Sequence, residues 1–191
     1  MGKNIEYLGK IKLPFEKIIK ITRHRNTVVD ASYDTDRASY HRNRNQSQLA
    51  MSKRIMGLYK GMKKATYFYR HTNPKLIGLI PKTFWKRYSI SKQSCRAQIL
   101  EHPPGTMSIP HIDRYDSMIR NVSGTDSHRQ VKRLWISLTK PKMGHALFVG
   151  DEVAYNLAQG TVLTFNKDVL HSGCNVGHET RYVLTLTGFT E

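Results

Sequence analysis

From residue 94 onward, short runs of alternating apolar and polar residues are separated by Pro, Gly and Asn. A period of two is that of a β-strand with one buried face. The runs fall at 96–102, 109–115, 131–139, 145–149, 153–157, 160–166, 171–176 and 181–189. Two show the pattern most clearly. Leu134, Ile136 and Leu138 alternate with Arg133, Trp135, Ser137 and Thr139, and Tyr182, Leu184 and Leu186 alternate with Arg181, Val183, Thr185 and Thr187. Short strands at this spacing predict two packed sheets rolled into a jelly roll. The greasy outer face of such a barrel has to be covered, and the first half of the chain is the available cover.

That half has a different texture. Residues 1–13 alternate weakly through Ile5, Tyr7, Leu8, Ile11 and Leu13, which suits an edge strand. Pro14 presets the first turn of a helix. Phe15, Ile18, Ile19 and Ile21 give that helix one apolar face, with an end expected near His24 to Asn26. Residues 30–45 are polar and predict a surface loop of the length that lids often have. A second helix is expected from a cap at Asn45 or Ser47 through residue 64, striped by Leu49, Ile55, Met56, Tyr59 and Met62. Residues 65–93 mix aromatics with bases, and 116–130 read as a polar loop. The expected organisation is a single domain over 1–191. Within it, 1–93 form a basic, helical, substrate-facing support and 94–191 form the jelly-roll catalytic core.

Charge sharpens this division. The net charge is +17, from 31 Lys and Arg against 14 Asp and Glu. Residues 1–100 hold 22 basic and 5 acidic residues, and residues 101–191 hold 9 of each, so the whole excess lies in the first half. Such asymmetry points to an acidic or polar macromolecular partner for that half, or to a solvated basic face. Lys53, Arg54, Lys60, Lys63 and Lys64 would form the wet face of the second helix, or a surface for phosphates. Likewise, the aromatic and basic residues between Tyr67 and Tyr88 could stack unpaired bases or pack on a sheet. No run of 18 apolar residues exists, so no membrane span is expected. The start of the chain lacks the apolar stretch of a secretory signal. Gly2 lacks the Ser or Thr at position six that myristoylation needs, since Glu6 stands there. Two cysteines, Cys95 and Cys174, suit reduced thiols and a cytoplasmic protein.

The chemistry lies in the second half. His111 and Asp113, two apart on a predicted strand, project to one face. A distant histidine, His171, completes a two-His, one-carboxylate set, the arrangement that holds non-haem Fe(II) and leaves positions open. Ten residues on, Arg181 opens the last strand, where its fork can grip a carboxylate in a way a Lys cannot. Cys174 reads as a small core residue, although its place three residues after His171 could bring it near a metal. The other seven histidines (24, 41, 71, 102, 128, 145 and 178) read as surface or packing residues. Thr164 and Thr185 are expected to be satisfied within the barrel.

On Pro110-His111-Ile112-Asp113, Asn166 through Asn175 and Arg181-Tyr182-Val183-Leu184, residues 94–189 resemble the Fe(II)/2-oxoglutarate-dependent dioxygenase superfamily. The runs 133–138 and 160–165 most resemble its aspartyl/asparaginyl β-hydroxylase-like branch, with prolyl hydroxylases next. The first half resembles nothing we recognise. The resemblance implies a cupin-like double-stranded β-helix, mainly β with supporting N-terminal helices. It implies iron bound by His111, Asp113 and His171, and the distal carboxylate of 2-oxoglutarate paired with Arg181. Arg133 matches an Arg that approaches the co-substrate in that branch. Two residues on, the branch usually has His where this chain has Trp135. Unlike some members of the branch, this chain keeps its carboxylate, Asp113.

The activity so implied is hydroxylation of an amino-acid side chain in a protein or peptide. It consumes O2 and converts 2-oxoglutarate to succinate and CO2. The basic first half keeps open a nucleic-acid-directed oxygenase acting by base hydroxylation or demethylation. A non-oxygenase metal-binding cupin is the remaining alternative, against which Arg181 argues.

Overall fold

The computed structural model describes residues 3–21, 28–30, 66–68, 74–108, 110–113, 115 and 131–191. In chain order its elements are β1 (Ile5–Lys10), α1 (Phe15–Ile21), β2 (Val28–Asp30), β3 (Thr66–Phe68), α2 (Pro74–Gly78), α3 (Lys82–Tyr88) and β4 (Arg96–His102). There follow β5 (Thr106–Met107), β6 (Val131–Ser137), β7 (His145–Val149), β8 (Glu152–Tyr155), β9 (Thr161–Phe165), β10 (His171–Asn175) and β11 (Arg181–Phe189). The strands form a larger sheet in the order β1-β9-β6-β11-β4-β3-β2 and a smaller one in the order β5-β10-β7-β8. From β4 on, successive strands pass between the two sheets, and all the pairings are antiparallel. This is the double-stranded β-helix of a cupin-type jelly roll.

Alternation places every core residue. Leu134, Ile136, Leu138, Leu184 and Leu186 point outward from the larger sheet and are fully buried. They pack with Ile18 of α1, Leu76 and Ile77 of α2, and Phe84, Trp85 and Tyr88 of α3. The opposite face of the same strands sends Trp135 and Val183 into the barrel, where they meet Leu100, Leu147, Val149, Ala154 and Leu163. The strands are thus sandwiched between a helical cover and the barrel interior. β1 lines the edge of the larger sheet against β9, with a register shift between Tyr7 and Gly9. That irregularity lets Ile5 enter the barrel core while Leu8 joins the outer one.

Three expectations are revised. The strand foreseen at 109–115 is broken: pairing runs through Thr106–Met107 and resumes only at His111. Pro110 has no N–H to give to the ladder, which accounts for the gap. Second, residues 65–93 resolve into β3, α2 and α3, short elements that mixed composition did not reveal. Third, α1 is traced to Ile21, and its foreseen end at residues 24–26 lies outside the described residues. The helix expected from Asn45 or Ser47 to 64 and the loops at 31–45 and 116–130 also lie outside them. No helix among the described residues is long and apolar enough to cross a membrane.

Candidate metal centre

The centre is assembled by pairing two chain segments 60 residues apart (111 and 171). His111 and His171 face each other across the smaller sheet, each donating its backbone N–H to the other's carbonyl, at 3.0 and 2.9 Å. Directly opposed residues on paired strands send side chains to the same face, and the two imidazoles lie with centroids 4.4 Å apart. Asp113 is held two residues on by its N–H bond to the Lys167 carbonyl, 3.2 Å. Its carboxylate sits between the rings, with Oδ1 at 3.8 Å from His111 Nε2 and Oδ2 at 3.6 Å from His171 Nε2. One donor atom from each of the three residues lies within 4.8 Å of the others.

This donor set fits a divalent metal. Metal–nitrogen and metal–oxygen bonds of about 2.0–2.2 Å let two ligands of one ion stand up to about 4.4 Å apart, and both histidine–carboxylate separations fall inside that limit. The tautomer agrees as well. His171 Nδ1 lies 3.1 Å from the Val169 carbonyl, which makes it the donor and leaves the Nε2 lone pair facing Asp113. Phe165 packs on the His171 ring at 4.6 Å and restricts its rotation.

Asp113 has two more partners that sequence reasoning did not foresee. The Arg133 guanidinium forms an ion pair with Oδ1. Tyr115, buried, donates its hydroxyl to Oδ2 at 3.3 Å. Burial alone would raise the Asp113 carboxyl, but the Arg133 charge, aided by both histidines, outweighs it and holds the group well below the usual carboxylate range. Burial, and then the Asp113 charge, push the Tyr115 phenol up. The spacing Asp113-x-Tyr115 was the available signal for Tyr115. The Arg133 contact had none, because β6 and the 111–113 segment are far apart in sequence and belong to different sheets.

Arg181 opens β11 opposite His102 of β4 and is almost wholly buried. Its Nη1 donates to the carbonyls of Ala146 (2.7 Å) and Cys174 (3.0 Å). The guanidinium lies over the Trp135 ring at 4.9 Å, so the Trp that departs from the family pattern provides its platform. Burial lowers its pKa to about 10, which leaves it charged at neutral pH. No carboxylate among the described residues pairs with it. A small cavity lined by Trp135, Ser137, Lys140, His145 and Arg181 opens beside it.

Gly173 links this cation to the triad. It sits two residues beyond His171, hence on the same face of β10 and about 6.6 Å along the strand. A Cβ there would stand 3.1 Å from Arg181 Nη1 and 3.2 Å from His102 Nε2. The structure therefore brings His111, Asp113, His171 and Arg133 into one cluster, and sets Arg181 one strand step away.

Other residues fall as follows. Cys174 alternates to the face opposite His171 and is a free, buried thiol, as is Cys95, whose thiol burial pushes up to about 12. Thr164 donates to the Arg133 carbonyl at 2.7 Å, and Thr185 to that of Gln98 at 3.4 Å. His102 is a buried residue that the sequence undervalued. It lies against Ser108 at 3.1 Å and adjoins Arg181.

Neither a protein-family model nor a curated protein sequence matches the chain. Among solved structures, the 2OG complex of the viral collagen prolyl hydroxylase from Paramecium Bursaria Chlorella virus-1 is 14% identical. The alignment covers 98% of this chain and 97% of that one, with a TM-score of 0.49. A cupin-2 domain from Rhodospirillum rubrum is 12% identical over 66% of this chain and 61% of its own, with a TM-score of 0.41. The nickel complex of the non-heme monooxygenase ThoJ is 16% identical over 50% and 43%, with a TM-score of 0.39. The chain spans less than two thirds of the last two.

Proposed function

We propose that this protein is an Fe(II)- and 2-oxoglutarate-dependent oxygenase that hydroxylates an amino-acid side chain in a protein or peptide. The observation that carries this reading is the convergence of two imidazole Nε2 atoms and one carboxylate, with a buried and otherwise unneutralised guanidinium one strand step away. A buried cation is costly without an anion to meet it. A dicarboxylate reaching from the metal to Arg181 meets that need.

On this reading His111, Asp113 and His171 hold the ion and leave the remaining coordination positions to small ligands. Iron loaded with 2-oxoglutarate and O2 would supply the oxidative decarboxylation to succinate and CO2 that drives hydroxylation. The chain's own part is placement. The Val169 carbonyl fixes the His171 tautomer, Tyr115 orients Asp113, and Trp135 holds the Arg181 fork toward the co-substrate's far carboxylate. Leu100, Leu147, Leu163 and Val183 keep the barrel floor dry. The alternative of a nucleic-acid substrate is favoured by one observation, the concentration of the +17 charge in the first half. Lys17, Lys20, Lys82, Lys86 and Arg87 stand exposed on the helical cover.

The test is succinate release from 2-oxoglutarate with Fe(II) and O2, screened against acidic and polar peptides and against oligonucleotides. Stimulation by peptides supports the primary reading. Stimulation by oligonucleotides that fades with added salt transfers the activity to nucleic acid. Metal binding with no turnover under any condition leaves a non-oxygenase cupin.

A further inference from the structure

The ion pair between Arg133 and Asp113 is an odd companion for a metal centre. Asp113 is the only anionic member of the triad, and Arg133 already neutralises it. A divalent ion on the triad would have to share that single carboxylate with a guanidinium. With neutral histidines, one carboxylate, one guanidinium and a divalent ion, the centre carries two positive charges in excess; without Arg133 it would carry one. A dianion arriving at the ion removes the excess. Arg133 is fixed where it does this: it lies on the inward face of β6, two residues before Trp135, and its own backbone carbonyl is tied by Thr164. Tyr115 keeps the other carboxylate oxygen oriented whether or not Arg133 is present.

We infer that Arg133 couples the two loading steps: it weakens the triad's hold on a divalent ion alone and makes metal and anionic co-substrate bind cooperatively. This rests on the triad being a metal centre. The coupling is reciprocal by linkage, so each ligand tightens the other by the same factor. A residue serving only to orient a metal ligand behaves in the opposite way. Loss of such a partner commonly costs 10–100-fold in metal affinity, whereas loss of the Arg133 charge should strengthen binding of the ion alone.

The experiment is calorimetric titration of Mn(II) into the full chain, with and without 2-oxoglutarate, under anaerobic conditions. R133Q keeps a hydrogen-bond donor near Asp113 and removes the charge. It should bind Mn(II) alone about fivefold more tightly than the unaltered protein, and 2-oxoglutarate should tighten Mn(II) less in R133Q than in the parent. R133K keeps the charge and should track the parent. Y115F, which loses only the orienting donor, should bind Mn(II) more weakly. R133M offers the same reading as R133Q should the Gln variant fold poorly. Weaker or unchanged Mn(II) binding in R133Q and R133M overturns the inference, as does an equal 2-oxoglutarate effect in parent and variants. Mn(II) binding that survives intact in H171A overturns the metal-centre reading itself, and so separates the two failures.

Discussion

Gly173 and Arg181 compete for one volume: a Cβ on Gly173 would stand 3.1 Å from the Arg181 Nη1, closer than side chains ordinarily approach. Nη1 is anchored on the Ala146 and Cys174 carbonyls, so relief has to come through displacement of the guanidinium. Gly173→Ala should therefore raise the KM for 2-oxoglutarate about tenfold, since small misplacements of a positioning group are costly. Mn(II) affinity should stay near that of the parent, because His171 and its Val169 partner are untouched. Steady-state kinetics beside a metal titration reads both quantities. A variant with unchanged KM contradicts the assignment of Arg181 to the co-substrate.

His102 should make the fold acid-sensitive. Its imidazole is held well below its ordinary value of 6.5 by burial first, then by the Arg181 and His145 charges. The unfolded chain takes up this proton near pH 6.5, and the folded protein only at much lower pH. Stability from this residue is therefore full above about pH 6.5 and is lost on acidification, at about 1.4 kcal/mol per pH unit until the folded group titrates. Melting curves between pH 7.5 and 5.0 should show a falling Tm in the parent and a shallower fall in His102→Gln. Equal slopes would show that other groups dominate.

Leu184 is fully buried on the outer face of β11, packed under the helical cover. Leu184→Ala removes methyl groups from a packed interior and should cost about 2–5 kcal/mol, a fall in Tm of roughly 5–15 °C. Below its transition the variant should still bind Mn(II), because the triad lies on the smaller sheet and at its margin. Loss of metal binding in a folded Leu184→Ala protein would mean that the cover and the centre are more tightly linked than their separate cores suggest.

Alternation along Leu134-Ile136-Leu138 and Tyr182-Leu184-Leu186 was enough to assign an outer face to β6 and β11, because a period of two leaves no other choice once one face is buried. His111, Asp113 and His171 could be grouped because their residue types narrow the chemistry, although their juxtaposition depends on a pairing between distant segments. What composition could not disclose was register. Whether Arg133 meets a co-substrate or Asp113 depends on how far β6 slides relative to the 111–113 segment, and no local pattern encodes that offset. The same holds for His102, whose place beside Arg181 follows from the β4–β11 pairing. The short helices α2 and α3 escaped notice for a simpler reason: five and seven residues are too few to display a helical period.

The central claim, that His111, Asp113 and His171 hold the metal on which 2-oxoglutarate turnover depends, is tested most directly by Fe(II)-dependent succinate formation. The assay compares the parent with His111→Ala, Asp113→Ala and His171→Ala at matched protein and iron concentrations. Succinate formation in the parent that is lost on chelation, and abolished in all three folded variants, is the predicted result. Turnover that persists in any one of them would contradict it.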